Sequence, residues 1–199
     1  DGEGGEFFNL ALIAEQMGAV LLPSPFVATV ASGMAVMQFS SERQKETLLP
    51  AIGKGELILS LALCEPNMRL EEESIGTQAE PRDNEFLVFG SKTFVPDLQA
   101  ASKFLCVART LEGVTVFIID AKSAEMSAEP LPTLASDKQW DVLLKGVRVS
   151  RDDILGEEGK GWRVVEGFLR YGTCLWSAYS VGAAESVLNI TKDYTKQRV

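Results

Sequence analysis

LILSLALCEP (57–66) and GSKTFVPD (90–97) are the two runs whose reading decides the fold. The first is an unbroken apolar run, and the second closes a hairpin whose turn signal is RDNE (82–85). Between them lies an uneven polar connector, NMRLEEESIGTQAEPRDNE (67–85). The runs stop abruptly at Cys64-Glu65-Pro66 and at Val95-Pro96-Asp97, since proline has no N–H to give to a ladder. Two such strands are expected to bring two backbone ends side by side, where a flat ligand fits.

Outward from that stretch, Leu57 to Ile154 carries short runs rich in Val, Ile, Phe and Leu, separated by turn residues. The pattern predicts strands over 57–64, 75–80, 85–95, 103–110, 113–120 and 139–149, with Pro130 and Pro132 breaking a weaker run before the last. No helix of useful length fits between consecutive strands. The sheet is therefore expected to be antiparallel or a barrel, and a βαβ nucleotide fold is disfavoured.

Upstream, apolar residues recur at helical spacing over 7–22, and Pro23 and Pro25 are expected to end that helix. A nearly uncharged helix follows over 26–39. Ser41, with Gln44 three residues on, then reads as a capping box for a helix over 42–52 that Gly53 and Gly55 stop. Downstream, Gly156, Gly159 and Gly161 lead into a helical pattern from Trp162 to about Gln197, roughly 50 Å long at 1.5 Å per residue. A helix of that length is more than the rest of the chain is expected to cover. Its uncharged middle, around Trp176 and Tyr179, calls for partner helices from further polypeptide or from another subunit.

Composition narrows the chemistry. The 199 residues are 46% apolar and 24% charged, enough to bury a core without a disulfide scaffold. A net charge of -9 and the lack of a basic patch interleaved with aromatics argue against a nucleic-acid face. There is no histidine, which removes Ser-His-Asp and Cys-His nucleophile pairs and His-containing zinc sites. Cys64, Cys106 and Cys174 are too few and too scattered for a Cys-only metal site, and each sits in an apolar run where a thiol acts as a small hydrophobe. A reducing compartment is the simpler expectation. The opening DGEGGEFF is acidic, unlike a secretory signal, and the longest uncharged run, Tyr171 to Ala184, is too short for a membrane span.

Four segments carry a resemblance. QKETLLPAIGKGELILSLALCEP (44–66), GSKTFVPDLQAASKFLCVART (90–110), GVRVSRDDILGEEGKGW (146–162) and YTKQRV (194–199) resemble, in order and spacing, motifs of acyl-CoA dehydrogenase flavoproteins. The resemblance implies an α+β multidomain fold: N-terminal helices over 1–55, a central antiparallel β-barrel over 56–155, and over 156–199 the first helix of a helical bundle. It implies α,β-dehydrogenation of an acyl-CoA thioester, in which a carboxylate base takes the α-proton and the β-hydride passes to N5 of FAD. Electron-transfer flavoprotein is the implied electron acceptor. A homo- or hetero-oligomer, dimer or tetramer, is the implied assembly, and the cytoplasm, or the mitochondrial matrix in a eukaryote, the implied location. β-Oxidation of fatty or steroid acyl-CoA is the implied setting.

By motif position, Leu63 and Cys64 fall against the flavin pyrimidine, and Phe94, Val95 and Pro96 fall beside its middle ring. Arg198 falls where the family's arginine reaches the pyrophosphate of a neighbouring subunit's FAD, and Arg69 and Leu70 fall in the family's substrate loop. The departures are specific. Cys64 and Pro96 each replace a threonine, and proline brings neither N–H nor O–H. Glu71, Glu72 and Glu73 read as a solvated loop; at a substrate mouth they would repel CoA phosphates. Most family members place the catalytic glutamate beyond the position of Val199; a minority place it at the position of Gly172, which is followed here by Thr173 instead of arginine. No catalytic residue is expected within the chain, and Glu166, Glu185 and Asp193 read as surface or cap residues. The alternatives are a non-catalytic partner subunit of a heteromeric acyl-CoA dehydrogenase, or a same-fold acyl-CoA oxidase or flavin monooxygenase.

Overall fold

Helical periodicity gives way to strand periodicity at Leu57, and the computed structural model, which describes residues 4–135 and 137–198, divides at the same place. The helices α1 (Phe7–Ala19), α2 (Phe26–Phe39) and α3 (Glu42–Gly53) come first, and α4 (Trp162–Gln197) comes last. α1 stops three residues earlier than its apolar pattern, with Leu21 in the left-handed region and the Leu22 N–H donating to the Met17 carbonyl. The capping box of α3 forms as expected: the Ser41 hydroxyl accepts from the Gln44 N–H, and the Gln44 side chain accepts from the Ser41 N–H. Gln44 Nε2 also donates to the Asp152 and Ile154 carbonyls, which ties α3 to the sheet.

The strands between are β1 (Leu59–Ala62), β2 (Gln78–Arg82), β3 (Glu85–Pro96), β4 (Lys103–Thr110), β5 (Gly113–Asp120), β6 (Met126–Leu131), β7 (Gln139–Ser150) and β8 (Ile154–Leu155). β6 is the weak run noted at Pro130, which survives as a strand because β6 lies at the edge of the sheet. β4 and β5 read as continuous apolar runs because both their faces are covered. Leu105, Val107, Val114, Val116 and Ile118 face α2, α3 and the start of α4, while Phe104, Cys106, Ala108, Phe117 and Ile119 face the second core, inside the curved sheet.

Two expectations fail here. The sheet is not a closed barrel: its path runs β6-β7-β3-β2-β4-β5-β8, with β1 branching onto β4, and the end strands do not meet. Nor is it purely antiparallel. β1 pairs with β4 in parallel, Leu59 to Lys103 through Ala62 to Cys106, and β2 adds one parallel rung, Gln78 to Arg109. A parallel pair needs a long crossover, and the absence of helices seemed to exclude one. The β2–β3 hairpin supplies it instead. β1 takes the first half of one edge of β4, and β2 takes over beyond it.

The long helix is also better covered than its length suggested. α1 lies along its middle, and the backbones touch: a Cβ on Gly18 would meet the Tyr179 carbonyl oxygen at 1.8 Å, and one on Gly182 would meet that of Glu15 at 1.8 Å. Phe7 packs edge-on to Tyr171, and Leu175 is buried with Ala14 and Val27. Trp176 and, further on, Val187, Leu188, Ile190 and Tyr194 stay exposed. No helix among the described residues is long and apolar enough to cross a membrane.

Candidate functional site

Past Gly90, β3 leaves β2 and runs beside β1 without forming a ladder with it. Three specific contacts close that seam. The Ser60 hydroxyl donates to the Pro96 carbonyl at 2.5 Å, Lys92 Nζ donates to the Leu63 carbonyl at 3.3 Å, and the Thr93 N–H donates to the Cys64 carbonyl at 2.9 Å. Their order shows that the two strands run in opposite directions. Cys64 therefore lies against Thr93 and Phe94, whereas Pro96 lies against Ser60, four residues back, or about 13 Å at 3.3 Å per residue. The two ends are not side by side as the sequence suggested; β1 ends at a bulge in β3.

That bulge is the most strained point of the rim. Between Lys92 and Val95, β3 carries one residue more than β7 opposite it. Phe94 takes φ +54° there, a left-handed conformation that bulky side chains avoid. The bulge turns the ring outward, 42% exposed, and returns Val95 to the core. Thr93 steadies it by donating to Asp141 on β7 at 2.5 Å. Asp97, just past Pro96, is also left-handed; burial, then the charge of Asp137, pushes its carboxyl above the ordinary range.

Beneath the rim lies an ion pair that motif reading passed over. Lys92 is fully buried and sits 2.7 Å from Glu65, itself nearly buried. Glu65 accepts the N–H of Gly76 at 2.7 Å and both the N–H and the hydroxyl of Thr77, at 3.0 and 2.7 Å. The carboxylate thus joins the end of β1, the start of β2 and the second half of β3. Burial pushes its pKa up, but the Lys92 charge and the hydrogen bonds from Lys92 and Thr77 outweigh that and hold it below the usual carboxylate range. The signal was present in the sequence: Phe86, Val88, Gly90 and Lys92 share one parity of the strand, so the lysine had to point inward.

The other sequence candidates scatter. Leu63 and Val95 are buried, each in a different core, so only their backbones are available to a ligand. Cys64 is half-buried, and burial raises its thiol pKa against the pull of Lys92; Cys106 is pushed up to about 11. Cys174 is exposed, contrary to the apolar-run expectation, because its face of α4 points away from α1 and α2. Arg69 and Leu70 lie on an exposed loop held by Asn67, Ser74 and Arg109, whose guanidinium donates to the Glu72 and Ile75 carbonyls. Arg198 follows the far end of the 36-residue α4, about 50 Å along the axis from the sheet, and joins nothing at the rim. Gly172 is buried, and a Cβ there would touch Ala31 and Phe168 at 3.8 Å. Glu166, Glu185 and Asp193 are exposed on α4, as expected of surface residues.

Comparison with known proteins bears on this arrangement. Residues 1–56 match the family described as acyl-CoA dehydrogenase, N-terminal domain. Acyl-CoA dehydrogenase FadE12 of Mycobacterium tuberculosis is 26% identical over 207 aligned residues, covering 99% of this chain and 53% of its own length. The structure of butyryl-CoA dehydrogenase from Megasphaera elsdenii superposes with a TM-score of 0.88 at 26% identity, covering 99% of this chain and 55% of that one. The ChsE4-ChsE5 complex of Mycobacterium tuberculosis gives a TM-score of 0.76 at 25% identity, over 85% of this chain and 46% of that one.

The chain is thus similar to acyl-CoA dehydrogenases, through a family match over residues 1–56 and through likeness at 25–26% identity over most of its length. It spans about half the length of the curated relatives it matches. Cys64, just past β1, and Pro96, at the end of β3, are the two positions where the motif resemblance implies threonines.

Proposed function

We propose that this chain contributes the cofactor-facing rim of a flavin-dependent acyl-CoA dehydrogenase, which desaturates an acyl-CoA thioester between its α and β carbons. The observation that carries this reading is the meeting of Cys64 with the β3 bulge. Among the described residues no other residue accepts the Cys64 N–H, which meets only its own thiol, and the outward-turned Phe94 directly follows Thr93, whose N–H donates to the Cys64 carbonyl. A free backbone donor beside an exposed aromatic face fits the edge and plane of an isoalloxazine; Pro96, with no donor, does not add to that fit. FAD, when bound, supplies the hydride acceptor. Cys64 would donate its N–H, Phe94 would cover the ring plane, and Leu63 and Val95 would present backbone only. Arg198, remote from this rim, would serve a neighbouring subunit.

A second reading rests on Gly172. It is buried, and an added Cβ would be in ordinary contact with Ala31 and Phe168 at 3.8 Å; the position that carries the base in a minority of the family thus offers no carboxylate. Such a chain suits the role of a non-catalytic partner in a heteromeric enzyme, in keeping with its likeness to a complex of two named components. One experiment separates the readings. The native polypeptide is purified and titrated with acyl-CoA thioesters under anaerobic conditions. Yellow protein whose flavin band bleaches supports the dehydrogenase; colourless protein that gains activity only with a homologous chain supports the partner subunit.

A further inference from the structure

The Lys92–Glu65 pair does more at this seam than hold it closed. Breaking a buried ion pair is costly, yet replacing it whole with apolar groups of similar size is often neutral or stabilising, so stability alone gives little reason for its presence. Its geometry gives another. Glu65 is fixed independently of the lysine by Gly76 and Thr77, and it anchors the ammonium at 2.7 Å. The ammonium then reaches the Leu63 carbonyl at 3.3 Å. That carbonyl belongs to the same peptide unit as the free N–H of Cys64. On the other side of the residue, the Cys64 carbonyl is held by Thr93. Both carbonyls flanking the N–H are thus pinned, one of them by a cation in a site of low dielectric.

We propose that Lys92, anchored by Glu65, is a positioning residue for the flavin: by donating to the Leu63 carbonyl it orients and polarises the Leu63–Cys64 peptide, making the Cys64 N–H the principal donor of the rim. This rests on the flavin reading above. A carbonyl that accepts from a cation withdraws electron density through its amide, and the N–H at the other end becomes a stronger donor. Reduction places negative charge on the flavin, so a strengthened donor stabilises the reduced form more than the oxidised one. With Pro96 contributing no donor, the role of Cys64 is correspondingly larger.

The test uses the native full-length polypeptide in its own assembly, loaded with FAD. Lys92→Met/Glu65→Gln removes both charges together and leaves one amide oxygen, which can keep the two Thr77 donors at the start of β2 while the Gly76 N–H loses its acceptor. The expected result is about tenfold weaker FAD binding and a two-electron midpoint about 30 mV more negative, which is a tenfold change for that couple. In the wild type, the Cys64 amide proton, followed by selective cysteine 15N labelling, should move downfield on FAD loading; this measurement needs no variant to fold. FAD affinity and midpoint both unchanged in the double variant, with a Cys64 amide resonance that does move in the wild type, overturns the proposal while leaving the flavin reading intact. A Cys64 amide resonance that does not move overturns the proposal and the placement of the flavin at Cys64 together. A wild type that binds no FAD overturns both.

Discussion

Between β1 and β3, two strands without a common ladder are joined by a few directional contacts: one buried ion pair, a hydroxyl on a carbonyl and one N–H to a carbonyl. Between α1 and α4, two helices are joined by bare contact, with Gly18 and Gly182 letting the backbones touch and Ala14, Val27 and Leu175 filling the space beside them. The seam concentrates its tolerance for error in two side chains. The helix layer distributes it over a whole face. A directional seam can hold a peptide N–H in one orientation, which a ligand site needs; a close-packed face can only hold a distance.

The sharpest way to break this comparison is at Lys92. Lys92→Met alone strands a buried carboxylate and should cost about 3–5 kcal/mol in denaturant unfolding, whereas adding Glu65→Gln should recover much of that loss. Equal losses in the single and double variants would make the seam an ordinary apolar contact. Next in size is Gly182→Ala. Its Cβ meets backbone rather than a flexible side chain, so the helices must separate, at a cost of about 1–3 kcal/mol read as a lower Tm, with little change in the chemistry of the rim. A neutral result would mean that α1 and α4 slide freely. Smaller again is Ser41→Ala, which removes one half of the α3 capping box and should cost about 1 kcal/mol by thermal unfolding.

The smallest expected effect is one of pH. Because the Glu65 carboxyl is held below its unfolded value, it contributes stability that is present above the ordinary carboxylate range and lost as pH falls through the lowered folded value. The stability difference between wild type and Glu65→Gln should therefore be largest near neutral pH and shrink in acid. A difference that stays constant down to strongly acidic pH would remove Glu65 from the acid response. Glycine and aliphatic contacts in the helix layer carry no such dependence.

Much of this was legible before any coordinates. The capping box at Ser41, the helices over α2, α3 and α4, and the strands β3, β4, β5 and β7 follow from periodicity and turn residues, because local spacing decides which residues share a face. Family likeness was also legible, since the motifs keep their order along the chain. Other features depended on which parts of the chain meet. β1 pairs with β4 across the intervening hairpin, so neither the parallel pairing nor the open ends of the sheet could be read from the connections between neighbouring strands. Cys64 and Pro96, alike on the page as strand ends, separate because β1 and β3 run in opposite directions.

The sequence by itself determined helices α2, α3 and α4, strands β3, β4, β5 and β7, the absence of histidine from these 199 residues and the donor missing at Pro96, because these are properties of residues and their spacing. Tertiary structure alone decided that Cys64 ends at a strained bulge, that Gly172 faces Ala31, and that Glu65 and Lys92, 27 residues apart in the chain, meet at 2.7 Å. A buried charge must find its partner wherever the fold brings one, and spacing along the chain does not specify that place.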